Sequence, residues 1–236
     1  MSMEKTKGIA VITGADRGCG SALTRNFLEG GWRVYAGQFI PEWPELGELA
    51  KEFPDQLTIL PLDVGSGESV KSAAALIAAR EEKIDLLVNV AGIALHGADD
   101  AAALRSTFNV NTFGPLRMTE ALLPLLRKGK KRICTFSSEA GCIASQHRAD
   151  TFAYTMSKTA LNMETRLIFN ALRGEGFTFR LYHPGWVRSY MSGRKSDRGV
   201  FEPEETSAVA YRQFTEDRNY EDVLVLRDVN EELWAF

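Results

Sequence analysis

Residues 8–20, GIAVITGADRGCG, decide the fold of this chain. The run 8–13 is almost entirely apolar, which is typical of a strand covered on both faces of a parallel sheet. Three glycines follow, and residues 21–30 then have helical spacing, with Leu23 and Phe27 on the apolar side. A strand, a glycine-rich turn and a helix in this order predict a turn that can hold a phosphate group.

The glycines of this turn have separate expected roles. Gly14 permits the tight turn, and Gly18 and Gly20 let the backbone approach a pyrophosphate at the positive end of the helix. The residues of the turn expected to bind a dinucleotide are Gly14, Asp16, Arg17, Gly18, Cys19 and Gly20. The alternative is an ordinary strand-to-helix turn that binds no ligand, in which the glycines are needed only for the backbone conformation.

The same alternation of strands and helices continues to the end of the chain. Further strand patterns lie at 32–37, 57–64, 84–90, 133–138, 177–182 and 223–226. Helical patterns lie at 68–80, 101–126 (broken only at Gly114 and Pro115), 159–172 and from Pro203 onwards, with a short helix within 41–54. We therefore predict one α/β domain over residues 1–236, a doubly wound Rossmann fold with about seven mostly parallel strands and helices on both faces.

Ligands of such sheets bind beyond the carboxyl ends of the strands. The polar and glycine residues at the predicted strand ends therefore belong to one candidate site. Beyond the first turn, these residues are Gln38, Asp63, Asn89, Ser138, Pro184 and Gly185.

Tyr154 and Lys158 are separated by one helical turn, so they lie on the same face of a helix. A free phenol has a pKa of about 10 and is a poor base at neutral pH. A neighbouring ammonium group favours the phenolate and brings the phenol towards a useful range for proton transfer. By itself this spacing is weak evidence, because a solvated lysine beside a half-buried tyrosine is common on helices.

The end of the second strand pattern bears on the choice of cofactor. NAD-binding versions of this unit carry an acidic residue there for the ribose hydroxyls, but this chain has Gln38 followed by Phe39. Arg17, inside the glycine turn, could pair with a 2′-phosphate. The sequence favours NADP(H) over NAD(H), although no arginine follows the strand.

Composition excludes several other classes of protein. The chain has 236 residues, 44% of them hydrophobic, and a net charge of -3, so no basic footprint for nucleic acid is present. The apolar stretch before Gly14 is too short for a signal peptide or a membrane span. Three scattered cysteines indicate reduced thiols in a cytoplasmic protein, and three histidines (His96, His147 and His183) make a metal site unexpected.

Taken in order, these motifs resemble the short-chain dehydrogenase/reductase family over nearly the whole chain. The matching elements are Thr13-Gly14-x-x-x-Gly18-x-Gly20, Asn89-x-Ala91-Gly92, Asn111, Ser138, Tyr154-x-x-x-Lys158 and Pro184-Gly185. The loop 145–151, Pro203-Glu204-Glu205 and the tail 231–234 are similar to the small carbonyl reductase-like branch related to C-factor and sniffer proteins.

The resemblance implies a role for each matching residue. Tyr154 would be the general acid/base, and Lys158 would lower its pKa and hold the nicotinamide ribose. Ser138 would position the substrate oxygen, and Asn111 would hold a water that links Lys158 to solvent. Further cofactor contacts are implied at Asp63 (adenine), Val64, Asn89, Ala91 and Gly92 (adenosine), Pro184, Gly185 and Val187 (nicotinamide) and Ser189 (carboxamide).

This pattern predicts an oxidoreductase that moves a hydride between a nicotinamide cofactor and a small carbonyl or secondary alcohol substrate. The departures are Val90, where a second asparagine is common, and Ser189, where threonine is usual. A cofactor-sensing signalling protein and an isomerase or dehydratase on the same scaffold are the alternatives. Self-association as a homodimer or homotetramer is expected through apolar faces of the helices 101–126 and 159–172.

Several residues near the site have open assignments. Cys19 is expected to be a small buried hydrophobic residue, with redox sensing as the alternative. His147 and His183 are expected to be structural, and Trp186 to shape either the pocket or the core. The loop 139–152 and a polar flap at 192–198 would determine the substrate, which the sequence does not identify.

Overall fold

A computed structural model describes residues 6–95, 100–191 and 193–236. The strands are β1 (Ile9–Ile12), β2 (Arg33–Gln38), β3 (Leu57–Pro61), β4 (Leu86–Asn89), β5 (Arg132–Phe136), β6 (Thr178–His183), β7 (Leu226–Asp228) and β8 (Leu233–Trp234). The α-helices are α1 (Gly18–Glu29), α2 (Glu45–Glu52), α3 (Gly67–Ala78), α4 (Ala101–Asn111), α5 (Phe113–Leu126), α6 (Phe152–Leu172) and α7 (Pro203–Thr215). Short 3₁₀ turns span Glu139–Gly141 and Arg173–Glu175. Of the residues discussed above, His96, Ser192 at the start of the predicted flap, and the first five residues lie outside this description.

The strands form one sheet in the order β3-β2-β1-β4-β5-β6-β7-β8. Strands β1 to β7 are parallel, and β8 returns antiparallel to β7. The sheet reverses its direction of growth between β1 and β4, which is where such folds open a ligand cleft. The predicted doubly wound, mostly parallel sheet is confirmed, with one short strand more than expected.

Helices cover both faces of the sheet, and each face has its own apolar core. One core includes Val70 of α3, Leu122 of α5 and Phe169 of α6. The other includes Phe27 of α1, Leu46 of α2 and Phe214 of α7. The central strands are buried along their whole length, which explains their continuous apolar runs.

Three predicted boundaries were wrong. The helical pattern 101–126 is interrupted at Thr112, one residue after Asn111, and Gly114 and Pro115 lie in the first turn of α5, where proline is tolerated. Helix α6 starts at Phe152, seven residues before the predicted start at 159, and so contains Tyr154. The last parallel strand is 226–228, since the register with β6 begins only at Leu226. Among the described helices, none is long and apolar enough to span a bilayer.

Candidate active site

The glycine turn lies at the carboxyl end of β1, packed against the segment that follows β4. Gly14 has φ of +62°, and a Cβ placed on it would lie 2.6 Å from the Cα of Ala91. Thr13 fixes this contact, because its Oγ1 accepts hydrogen bonds from the amides of Val90 (3.0 Å) and Ala91 (3.1 Å). Position 14 therefore needs glycine both for its positive φ and for the close approach of Ala91.

The amide of Asn89 is the clearest sign of a polar ligand at this edge. The side chain is buried at the end of β4, and neither Oδ1 nor Nδ2 has a partner within the described part of the chain. Buried polar groups are almost always hydrogen-bonded, so this amide suits a site that an external polar group completes. A dinucleotide fits here, next to the glycine turn at the start of α1.

Arg17 projects from the same turn as an unpaired cation. Its Nη2 donates to the carbonyl oxygen of Tyr190 (3.1 Å), and its guanidinium lies 4.6 Å from the ring centroid of Trp43. None of the ion pairs seen among the described residues involves Arg17. Its charge is therefore available to an anion.

Helix α6 brings Tyr154 and Lys158 to the carboxyl edge of the sheet. The Lys158 ammonium is buried, donates to the carbonyl oxygen of Phe136 (2.9 Å), and lies 5.8 Å from the centroid of the Tyr154 ring. Burial lowers the pKa of Lys158 to about 8. A cation in this environment can lose its proton near neutral pH.

Asn111 ends α4 and converges on the same place. Its side chain accepts from the amide of Ile93 (2.8 Å) and donates to the Ile93 carbonyl (2.9 Å) and to Ser157 Oγ (3.0 Å). A Cβ on Gly92 would lie 3.4 Å from Asn111 Oδ1 and 3.9 Å from Lys158 Nζ. Asn111 occupies the last position of α4, where its side chain fastens the loop after β4.

Ser138 follows β5 and connects the tyrosine to a carboxylate. Its hydroxyl donates to Glu139 Oε2 (2.6 Å) and accepts from the amide of Ala140 (3.1 Å). A side-chain hydrogen bond also links Ser138 with Tyr154. A serine hydroxyl has a single proton to donate, so Ser138 gives it to Glu139 in this structure.

Two cationic or titratable side chains hold Glu139. Arg148 forms an ion pair with Oε1, and His183 Nε2 lies 3.5 Å from Oε2. Burial raises the pKa of Glu139, but the hydrogen bonds from Ser138 and Arg148 outweigh it, so the pKa is lowered overall. Burial lowers the pKa of His183, whose Nδ1 accepts from the amide of Gly185 (3.4 Å).

The pKa of Tyr154 differs from the expected direction. Burial raises it to about 12, a hydrogen bond with Ser138 opposes the rise, and the charge of Glu139 adds to it. The Lys158 ammonium lies over the ring of Tyr154. Burial therefore sets the direction of the shift, and the expected lowering of the Tyr154 pKa by Lys158 does not appear.

The nicotinamide side of the predicted site follows β6. Gly185 has φ of +75°, the Pro184 carbonyl accepts from Thr206 Oγ1 (2.8 Å), and Val187 pairs with Phe201 as an isolated bridge. The Ser189 amide donates to the Val187 carbonyl (2.7 Å). This loop turns back towards the glycine turn, where a Cβ on Gly18 would meet the Tyr190 ring at 3.4 Å.

A sequence model of the short chain dehydrogenase family matches residues 8–199. The chain belongs to the short-chain dehydrogenase/reductase family.

Named relatives of this short-chain dehydrogenase come from several kingdoms. Over 115 residues it is 43% identical to the C-signal of Myxococcus xanthus, an alignment covering 47% of this chain and 69% of that protein. It is 32% identical to rat estradiol 17-beta-dehydrogenase 2 over 82% of this chain and 52% of that enzyme, so it spans about half the length of that relative. An uncharacterized oxidoreductase of Schizosaccharomyces pombe is 30% identical over 96% of this chain and 92% of its own.

Solved structures relate the enzyme to the carbonyl reductases. The NADPH-bound carbonyl reductase from chicken fatty liver superposes with a TM-score of 0.85 at 27% identity, covering 99% of this chain and 100% of that one. Sniffer of Drosophila melanogaster has the same TM-score at 22% identity, with 98% and 100% covered, which shows the shared fold. The chain is thus an enzyme of the NAD(P)-dependent short-chain dehydrogenase/reductase family.

Some residues of the predicted cofactor set turn their side chains elsewhere. Asp16 Oδ1 accepts from the amides of Phe39 (2.7 Å) and Ile40 (2.8 Å), so it fastens the loop after β2. Cys19 is half-buried and packs against the core that contains Phe27 and Phe214, and burial raises its pKa to about 12, which suits the hydrophobic role better than redox sensing. Asp63 Oδ1 accepts from the Gly65 amide (2.8 Å) at the end of β3.

The sequence reasoning missed the cluster of Glu139, Arg148 and His183. These residues come from a 3₁₀ turn, a loop and a strand end, and no local spacing connects them. The one available hint was a carboxylate directly after Ser138. Within the described residues, no group of three or more histidine, cysteine or carboxylate side chains could hold a metal ion.

Proposed function

We propose that this enzyme interconverts a small carbonyl compound and the corresponding secondary alcohol, with NADP(H) as the cofactor and reduction as the favoured direction. The observation that carries the proposal is the meeting of Tyr154, Ser138 and Lys158 at the sheet edge that also holds the glycine turn. Asn111 lies within reach of the same place.

The residues of the cleft suit NADP(H). The glycine turn and the start of α1 would hold the pyrophosphate, the unpartnered amide of Asn89 would meet the adenosine half, and Arg17 would meet the 2′-phosphate. Lys158 would hold the nicotinamide ribose. The chicken carbonyl reductase, whose structure contains NADPH, supports this choice of cofactor. When bound, the nicotinamide supplies or accepts the hydride.

The chain's own residues handle the proton. Tyr154 donates a proton to the substrate oxygen during reduction and removes it during oxidation. Ser138 positions that oxygen, and to donate a hydrogen bond to it the hydroxyl must turn away from Glu139. The lowered pKa of Lys158, together with the adjacent Asn111, provides a route by which the proton on Tyr154 is exchanged with solvent.

Replacing Tyr154 by phenylalanine tests the assignment. We expect turnover of a carbonyl substrate found by screening to fall by about 10²- to 10⁴-fold, because the acid/base group is lost. The affinity for NADPH, measured by calorimetry, should change little. A variant that keeps near-full turnover with unchanged cofactor binding would show that another group transfers the proton.

Further parts of the proposal concern the whole protein. We infer that residues 1–236 act as one oxidoreductase domain without nucleic-acid or membrane partners. The free thiols of Cys19, Cys134 and Cys142 suit a cytoplasmic location.

A cofactor-sensing signalling protein is the second candidate, favoured by the similarity to the C-signal of Myxococcus xanthus. It predicts tight NADPH binding without turnover across a broad panel of carbonyls and alcohols. If the wild-type protein turns over any member of that panel and Tyr154→Phe does not, the signalling role without catalysis is excluded.

A further inference from the structure

Three separate segments meet beside the glycine turn. Arg17 belongs to the turn, Trp43 to the loop between β2 and α2, and Tyr190 to the loop after β6. The guanidinium of Arg17 lies over the Trp43 ring at 4.6 Å, and the Trp43 and Tyr190 rings pack edge-on at 5.3 Å and 76°. Arg17 also donates to the Tyr190 carbonyl oxygen at 3.1 Å. We call these three residues the clasp.

The clasp holds an arginine that has spare donors. A guanidinium has five N–H donors, and within the described residues Arg17 uses one of them. The neighbouring carboxylate, Asp16, is occupied by the amides of Phe39 and Ile40. Arg17 is therefore fixed in position and free to accept an anion.

Fixing the side chain in advance matters because arginine has a large rotamer entropy to lose. A partner that has already ordered the guanidinium removes part of this entropic cost from ligand binding. Only a ligand that contacts Arg17 gains from this. Of the two nicotinamide cofactors, NADP(H) alone carries the 2′-phosphate.

We propose that Trp43 determines cofactor specificity by holding Arg17 in place for the 2′-phosphate, with Tyr190 as the support behind it. The same contacts hold the loop after β6 against the glycine turn. This inference rests on the proposed function, because it takes NADP(H) as the cofactor.

Calorimetric titration of the full chain with NADPH and with NADH tests the clasp. Trp43→Ala is expected to weaken NADPH binding by about 5- to 20-fold, the range that a cation–π contact supports, and NADH binding by less than about twofold. Tyr190→Ala should act in the same selective direction, and Trp43→Phe should keep most of the NADPH affinity. Tyr220→Ala, which removes an exposed aromatic side chain from the segment between α7 and β7, is the control and should leave the ratio of the two affinities unchanged.

A double-mutant cycle shows whether Trp43 acts through Arg17. In the Arg17→Ala background, Trp43→Ala should have less than about a twofold further effect on NADPH binding, because the group that it orders is gone. Equal weakening of both cofactors, no weakening, or a full additional effect in that background would each overturn the inference. Wild-type protein that binds neither cofactor would refute the proposed function itself, whereas wild-type binding with an unselective Trp43→Ala refutes the clasp alone.

Discussion

Glu139 is the residue whose charge bears most directly on the proposed acid/base group. It accepts a hydrogen bond from the Ser138 hydroxyl and faces Arg148 from the loop and His183 from β6. Burial is the main reason for the raised pKa of Tyr154, and the charge of Glu139 adds to it. Glu139 therefore helps to keep Tyr154 protonated, which is the form that reduction requires.

Glu139→Gln should shift the pH profile of alcohol oxidation to lower pH. Glutamine keeps an oxygen that can accept from Ser138 but removes the negative charge, so the phenolate becomes less unfavourable. We expect the rate to reach its plateau roughly half to one pH unit lower. The measurement is kcat/KM against pH with NADP⁺ and a secondary alcohol identified by screening.

Arg148→Gln provides the opposite control for Glu139→Gln. The charge of Arg148 lowers the pKa of Tyr154, so its loss should move the same profile to higher pH. Identical profiles for wild type and Glu139→Gln would show that the carboxylate does not act on the proton-transfer step.

Lys158→Met is expected to lose activity and gain stability. The buried ammonium has a pKa lowered to about 8 from its ordinary 10.5. Below pH 8 the folded protein carries the cost of burying the charge, and between pH 8 and 10.5 the unfolded chain binds more protons, so stability rises with pH. The variant should therefore be more stable at pH 7 by on the order of 1–3 kcal/mol, and the gain should shrink towards pH 10.5.

Urea unfolding at pH 7 and at pH 10 measures this difference. The matched variant Lys71→Met, at an exposed position of α3, should change stability little at either pH. A Lys158→Met protein that is less stable than wild type at pH 7 would contradict the expectation.

At the scale of elements, two arginines from the sheet cap the end of α7. Arg132 of β5 donates to the carbonyl oxygens of Phe214 (3.1 Å) and Glu216 (2.7 Å), which have no partners further along the helix. Arg180 of β6 donates to the carbonyl oxygen of Gln213 (3.0 Å) and pairs with Glu221. Both side chains are 2% exposed, so their charges depend on these partners.

Arg132→Met should destabilise the fold by about 3–5 kcal/mol, because it removes one partner from a buried charge network and the hydrogen bonds from Arg132 to the end of α7. Urea unfolding measures the change. The control is Arg212→Ala, an exposed arginine of α7 paired with Glu231, which should cost about 1 kcal/mol or less. Similar losses for both variants would show that the buried network adds nothing beyond a surface ion pair.

Elements with a strong local pattern could be predicted from the sequence. The parallel strands have continuous apolar runs, and the glycine turn has a spacing set by backbone sterics. Strand β8 has only two residues, Leu233 and Trp234, and its short hairpin with β7 is too brief to show an alternating or apolar strand pattern. The break at Thr112 likewise carries no local marker, since the nearby glycine and proline are accommodated inside α5.

In the candidate site too, local patterns could be predicted from the sequence and contacts between distant segments could not. Residues that stand at strand ends or one helical turn apart, such as Ser138, Tyr154 and Lys158, were located from spacing. Contacts between distant segments could not be predicted, because a sequence does not reveal which side chains meet across loops. The clasp of Arg17, Trp43 and Tyr190 is of that second kind.

At the scale of the molecule, α6 presents an apolar stripe that nothing in the described chain covers. Phe152, Met156, Met163 and Leu167 are each about half exposed or more and lie on one side of the helix. Phe113, at the start of α5, is exposed too, and an apolar groove between Phe108, Ile143 and α6 continues the surface. Exposed apolar surface of this extent is typical of an interface between protein chains.

We expect wild-type protein to form a dimer or tetramer through this stripe, because association would remove its apolar side chains from water. The double variant Met163→Lys, Leu167→Lys should elute as the 26.2 kDa monomer in light scattering coupled to size exclusion, because two ammonium groups would need to be buried in the interface. Leu76→Lys, which charges an exposed apolar position on α3, is the matched control and should leave the assembly intact. Wild-type protein that is monomeric at high concentration would contradict self-association, and a double variant that still assembles would place the interface elsewhere.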